Sequence, residues 1–272
     1  MNLSRFTMHN RFLMLALDHR GSFRKILNPS SPESVSDQEM VMAKKHIIEA
    51  LEEQFSGVLI DTEFGLPAYV STKPYLLALE KTGYLPQGAE RITQLEHSVM
   101  DLKRDGASGV KLLLYFNPAA ATAPAQIETA RQVLADCESM NLPFFLEIVT
   151  YDLPGRQSTS ADIVRSVEIF LHEGVRPHVF KLEYPGNQAS CAKISEMLGE
   201  TPWILLTRGG DFDTFLSHLH EAVSQGAAGF LAGRSVWQEV GKYQGPDRIQ
   251  FLRSTVKDRF SRICKTVIQS SV

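Results

Sequence analysis

Residues 179–186 read VFKLEYPG, an apolar run with Lys181 and Glu183 two positions apart inside it. An unpaired ammonium in an apolar core costs on the order of several kcal/mol or gives up its proton. A strand that carries one therefore needs a reason. Seven runs of the same kind accompany it: FLMLALD (12–18), GVLID (57–61), PYLLALE (74–80), GVKLLLYF (109–116), PFFLEIV (143–149), WILLT (203–207) and AGFLAG (228–233). PYLLALE is the weakest, and the quoted run itself extends to HVFKLEY (178–184). Nearly continuous apolar strands imply burial on both faces, as in a parallel sheet covered by helices.

Helical patterns fill most of the gaps, over 38–54, 89–105, 124–140, 160–173, 189–198, 211–225 and 246–268. Ser36 with Glu39 three residues on has the form of a capping box. Gly106, Gly174 and Gly226 stand where C-terminal caps belong. NPSSPES (28–34) reads as a loop of the first βα unit, and LPAYVSTK is too short for a full helix between the second and third strands. Eight βα units in 272 residues predict an α/β fold, a (β/α)8 TIM barrel forming a single domain over 1–272. The alternative, a doubly wound sheet, wants a Gly-rich phosphate fingerprint after an early strand, and DHRGSFRK is not GxGxxG.

Composition excludes several function classes. A net charge of −3 leaves no basic surplus for nucleic acid or an anionic membrane surface. Runs such as FLMLAL fall short of the roughly 18 apolar residues of a membrane span. MNLSRFTMHNRF lacks the apolar region of a signal peptide, so a cytoplasmic protein is expected. Cys137, Cys191 and Cys264 are scattered and odd in number, which suits reduced, packed thiols. Neither HxH on a strand nor HExxH occurs, so no metal site and no cofactor is expected. His46, His97 and His172 fall in helical patterns, and His218 and His220 do not share a helix face. His19, beside Asp18 at a strand end, is expected to contact substrate.

In a barrel, the C-terminal ends of the strands face the active-site mouth. That rule collects Asp18, Asp61, Glu63, Glu80, Lys111, Glu147, Lys181, Glu183, Thr207, Gly233 and Arg234. A single strand-end lysine is readily explained by a structural ion pair or by snorkelling to solvent. Lys111 and Lys181, each embedded in apolar sequence with Glu147 on the strand between, point to chemistry instead. Lys181 and Glu183 share a strand face. A desolvated lysine near another cation has a depressed pKa and forms imines with ketones. A carboxylate such as Glu147 would then move the proton of the hydroxyl that becomes an aldehyde. The residues alone do not choose between Lys111 and Lys181 as nucleophile. TRGG (207–210) and AGR (232–234) end the last two strands, where barrel enzymes often bind phosphate; Thr207, Arg208, Gly209, Gly233 and Arg234 are the candidate contacts. Two other readings compete. One is a metal-dependent barrel lyase using Asp18, Asp61, Glu63 and Glu147; the other is a non-catalytic sugar-phosphate sensor.

The motifs LALDHRG (15–21), LIDTEFGLPA (59–68), LEKTGY (79–84), VKLLLYFNP (110–118), FFLEIVTYD (144–152), VFKLEYP (179–185) and FLAGRSVW (230–237) cover nearly the whole chain. In this order they resemble the class I tagatose 1,6-bisphosphate aldolases and the related sulfofructose-phosphate aldolases. The resemblance implies cofactor-independent cleavage of a phosphorylated ketose to dihydroxyacetone phosphate and an aldehyde. It makes Lys181 the Schiff-base lysine and Glu147 the proton-transferring group. Lys111 and Asp18 would line the site, and Thr207, Gly233 and Arg234 would hold a phosphate. His19 stands where the tagatose enzymes usually have glutamine, and Arg208 where they have a small residue, which suggests an anion on the aldehyde side of the substrate or at the phosphate end. The C-terminal helix offers a contact for a homo-oligomer.

Overall fold

Each of the eight apolar runs becomes one stave of a closed barrel in the computed structural model, which describes residues 1–270. The strands are β1 (Phe12–Leu17), β2 (Gly57–Ile60), β3 (Tyr75–Ala78), a small hairpin β4 (Leu85–Gln87) and β5 (Glu90–Ile92), then β6 (Gly109–Tyr115), β7 (Phe144–Val149), β8 (Val179–Leu182), β9 (Trp203–Leu206) and β10 (Gly229–Ala232). The barrel order is β1-β10-β9-β8-β7-β6-β3-β2, all parallel, with the β4–β5 hairpin outside it. Helices α1 (Gly21–Leu27), α2 (Asp37–Leu51), α3 (Gly65–Ala68), α4 (Val99–Arg104), α5 (Ala123–Ser139), α6 (Ser160–His172), α7 (Gln188–Leu198), α8 (Phe212–Ser224), α9 (Arg234–Trp237), α10 (Gly245–Phe251) and α11 (Lys257–Gln269) complete the fold. Among the described residues, no helix is long and apolar enough to cross a membrane.

The two-residue period of the strands divides the core into two layers. On β1, Leu13, Leu15 and Leu17 pack outward beneath the helices, while Phe12, Met14 and Ala16 fill the lumen. On β7 and β8, Phe145 and Val179 belong to the lumen, so Glu147 and Lys181, two residues further on, face the same interior. Aromatic rings close the lumen at its N-terminal end. Phe6, from the turn before β1, meets Phe145 edge-on at 5.4 Å, and Phe12 meets it at 6.1 Å. The charged residues therefore stand above a dry aromatic floor.

Several local expectations are borne out. Of the capping box expected at α2, the Ser36 half is present: its side chain accepts from the Glu39 amide at 3.2 Å. Gly106, Gly174 and Gly226 adopt φ of 83°, 72° and 101°, the left-handed region a helix C-terminus favours. LPAYVSTK supports only the one-turn α3. Asp61 starts it by accepting from the Phe64 amide at 2.7 Å, and a side chain at Gly65 would lie 2.6 Å from Ile60 Cβ.

Two expectations are corrected. The helix expected over 89–105 is instead the hairpin, a linker and the short α4; His97 lies before that helix and contacts Thr62 Oγ1 at 3.0 Å. The hairpin is fixed by distant partners. The Arg91 guanidinium lies 4.8, 5.7 and 5.1 Å from the rings of Tyr84, Tyr115 and Tyr151, and Glu90 accepts from the amides of Ala121 and Thr122 at 2.8 Å. The expected C-terminal helix is broken by a five-residue π-helical turn at Leu252–Val256.

The aromatic floor carries a stability prediction. Phe6→Ala opens a cavity beneath Phe145, and the loss should be about 3–5 kcal/mol, the scale of Phe-to-Ala changes in cores. Urea unfolding would measure it; a loss under about 1 kcal/mol would show that the floor re-closes without Phe6.

Candidate active site

The C-terminal ends of the strands surround a cavity of about 390 Å³. Its wall includes Asp18, His19, Lys111, Glu147, Lys181, Thr207, Arg208, Gly233 and Arg234, nine of the ten site residues nominated from sequence. Gly209 is the exception. It lies behind the wall, at φ 74°, and a side chain there would sit 3.0 Å from the Arg234 guanidinium. Its glycine leaves Arg234 room to pass.

Strand register builds the centre. Glu147 is level with Lys181 on one side and Leu113 on the other, and Lys111 is level with Ala78. Lys181 Nζ lies 2.8 Å from Glu147 Oε2, and the same oxygen lies 3.5 Å from Lys111 Nζ. Lys111 also contacts Asp18 Oδ2 at 2.8 Å and pairs with Glu80 Oε1. The second oxygen of Glu80 accepts from the Leu113 amide at 3.1 Å. Glu80, Lys111, Glu147 and Lys181 are buried, and Asp18 is partly exposed at the cavity.

The two lysines are thus not equivalent. Burial works against the charge of Lys111, but Asp18, Glu80 and Glu147 outweigh it and raise its pKa above the ordinary lysine value. The depressed pKa expected of a desolvated lysine does not apply to Lys111. Asp18 behaves reciprocally. Burial alone would raise its pKa, yet Lys111, with His19 and Lys181 behind it, holds the carboxyl far below its usual range.

Glu80 was collected from sequence only as a strand-end carboxylate, and it proves to be a direct partner of Lys111. Arg20 was given no role. It forms another part of the wall, donating to the Glu80 carbonyl at 2.8 Å and pairing with Glu96. The one available signal was its position in LALDHRG, directly after a strand end.

At the β9 and β10 ends, the two arginines behave differently. Arg234 donates to the Arg208 carbonyl at 3.3 Å and has no carboxylate partner among the described residues. Arg208 sits at φ 49° and turns its guanidinium onto Glu183 and the Thr150 carbonyl, the latter at 3.1 Å. The Arg208 guanidinium, expected from sequence to meet an anion, is paired here with Glu183 while still lining the cavity. Glu183 and Lys181 also diverge, because β8 ends at Leu182. Lys181 lines the main cavity, whereas Glu183 lines a neighbouring one of about 380 Å³.

The four carboxylates of the metal-dependent reading do not form one cluster. Asp61 pairs with Lys44 inside the protein, Glu63 is exposed, and Asp18 and Glu147 converge on Lys111.

His19 packs edge-on against Trp237 at 5.3 Å, and its Nδ1 lies 3.7 Å from Asp18. A side chain at Gly233 would come within 3.3 Å of the ring. Burial is the main cause that lowers the His19 pKa to about 3; Asp18 opposes it, and Arg234 adds to it. The unfolded chain, titrating near 6.5, binds the extra proton first, so stability from this group is present above about pH 6.5 and lost as pH falls toward 3. His19→Gln should flatten the stability–pH slope there by up to about 1.4 kcal/mol per pH unit. Denaturant unfolding from pH 7 to 4 would test this, and an unchanged slope would mean that the ring is not held neutral.

Residues 12–239 match the model of the DeoC/LacD family aldolases. Tagatose 1,6-diphosphate aldolase of Staphylococcus epidermidis is 29% identical over 261 residues, covering 82% of this chain and 79% of that protein. The enzyme of the same name from Listeria monocytogenes is 28% identical over 301 residues, covering 95% and 88%. Among solved structures, an archaeal fructose-1,6-bisphosphate aldolase, with its catalytic lysine bound to a carbinolamine intermediate, superposes with a TM-score of 0.69 at 20% identity, covering 94% of this chain and 98% of that one. A fructose-bisphosphate aldolase from Slackia heliotrinireducens gives 0.68 at 14% identity, covering 97% and 88%. With the family model spanning the barrel from β1 past β10, the chain belongs to the DeoC/LacD family of aldolases.

Proposed function

We propose that this aldolase cleaves a ketose 1-phosphate, tagatose 1,6-bisphosphate or a related 6-substituted ketohexose phosphate, through a Schiff base on Lys181. The observation that carries the reading is the unequal pair of buried lysines. Lys111 is held by three carboxylates, while Lys181 has, among the described residues, a single carboxylate partner, Glu147, at 2.8 Å.

That partner makes the proton transfers local. Glu147 takes the ammonium proton of Lys181, and the free amine adds to C2 of the ketose. Water then leaves with a proton returned by Glu147, giving the iminium. The same carboxylate next accepts the C4 hydroxyl proton as the C3–C4 bond breaks, and the electron pair of that bond enters the C2–C3 enamine. Protonation at C3 and hydrolysis release dihydroxyacetone phosphate and free the lysine. Lys111 remains an ammonium throughout and orients the hydroxyl oxygens, with Asp18 holding it in place. Arg234 and the backbone around Thr207 and Gly233 suit the phosphate, as a cation fork beside unhindered amides. The second phosphate of the relatives' substrate, as their names give it, is the finer part of this reading.

Borohydride trapping with dihydroxyacetone phosphate, followed by peptide mapping, is the decisive experiment. An adduct on Lys181 is expected; one on Lys111 would reverse the two lysines, and none on either would end the Schiff-base reading. Lys181→Met should abolish turnover. Glu147→Gln should lower kcat by about 10²–10⁴-fold, the usual weight of general acid–base catalysis.

A further inference from the structure

Lys44 is a third buried lysine, outside the cavity and unused by the chemistry above. It lies on α2 among the buried Met40, Ala43, Ile47 and Ile48, and has no exposed surface. Its ammonium group lies 5.6 and 6.0 Å from the rings of Phe23 and Phe64. It makes two polar contacts. One is the ion pair with Asp61, just after β2; the other is a 2.7 Å hydrogen bond to the carbonyl of Leu17. Leu17 ends β1 and immediately precedes Asp18. The other Asp61 oxygen is held by the Phe64 amide at 2.7 Å, so the pair is itself anchored.

We propose that the Lys44–Asp61 pair positions Asp18, fixing the end of β1 through the Leu17 carbonyl so that the Asp18 carboxylate meets Lys111. The chain from α2 to the cavity is short: Lys44 to Leu17, one peptide unit to Asp18, and 2.8 Å from Asp18 to Lys111. Lys44 and Asp61 are therefore positioning residues. The catalytic consequence rests on the Schiff-base reading, whereas the position of Asp18 does not.

The test compares Lys44→Met, Asp61→Asn and the double variant. Each single change leaves a buried charge alone and should lower Tm. The double variant removes both charges together and should recover most of the loss, as paired removal of buried ions commonly does. If the pair only supports the fold, kcat returns with Tm. If it positions Asp18, the double variant keeps kcat depressed by about 10-fold or more with KM little changed.

A second readout is independent of turnover. The distance from the Asp18 carboxylate to Lys111 Nζ, 2.8 Å here, is measured in a crystal structure of the double variant. Its lengthening beyond hydrogen-bond reach is expected. An unchanged Asp18–Lys111 contact, or full recovery of kcat with Tm, overturns the proposal. Asp61→Asn is isosteric and still leaves Lys44 its bond to Leu17, so it serves if the other variants fail to fold; its displacement of Asp18 should be smaller. Trapping on the wild type is run in parallel. A wild type without an adduct would count against the Schiff-base reading, while the Asp18–Lys111 contact still decides the role of Lys44.

Discussion

The site is organised around one electrostatic constraint: two buried ammonium groups share three carboxylates at the top of a closed lumen. Taking an ion out of water costs several kcal/mol or more, and its partners offset that only with good geometry and with their remaining lone pairs occupied. Lys111 meets the condition. Glu80 is held by the Leu113 amide, Asp18 sits at the end of β1, and Glu147 is fixed by the register of β7. Lys181 meets it less fully, with Glu147 alone close by. The difference in partner number gives two lysines of similar burial different chemistry. Three carboxylates raise the pKa of Lys111, while Lys181 faces Glu147 at 2.8 Å, a carboxylate it shares with Lys111.

The barrel makes this arrangement sterically possible. Parallel strands with a two-residue period send Phe145 and Glu147 from β7, and Val179 and Lys181 from β8, into the same interior at successive heights. The lower layer is dry and aromatic, and the upper layer is charged. Water is thereby kept from one side of the ion cluster, which strengthens each contact inside it. The hairpin 85–92, pinned by Arg91 among three tyrosines, brings Tyr115 of the cavity wall and Tyr151 of the neighbouring cavity under one cation.

The barrel strands were legible because each is a continuous apolar run, a pattern that both-face burial requires. Lys111, Glu147 and Lys181 were legible because a charge inside such a run is costly unless it is used. The hairpin was not, since its strands have three residues each and its anchors, Tyr151 and the amides of 121 and 122, lie far along the chain. Lys44 was hidden for another reason. In QEMVMAKKHIIEALEEQ, Lys44 and Lys45 look alike, and only the packing of α2 buries one and leaves the other at the surface. The unequal pairing of Lys111 and Lys181 was also hidden, because it rests on Glu80, whose reach across to β6 depends on the pairing of β3 with β6.

The two arginines at the β9 and β10 ends illustrate the same limit. By sequence both follow a strand end beside glycine, and both suit an anion. Electrostatics separates them. Arg208 is committed to Glu183, a carboxylate whose other oxygen is taken by the amide and hydroxyl of Thr150 at 2.7 and 2.8 Å, so the pair is closed on itself. Among the described residues Arg234 donates only to a peptide carbonyl, at 3.3 Å, and Gly209 places no β-carbon against its guanidinium. A carbonyl partner leaves a cation's charge unneutralised, and a fork of donors with unspent charge at a cavity wall favours an anion. Of the two, Arg234 is the guanidinium without a carboxylate partner among the described residues. Arg208 lines both cavities and joins Glu183 in the partition between them, so the ion pair that satisfies the two side chains also separates the two spaces.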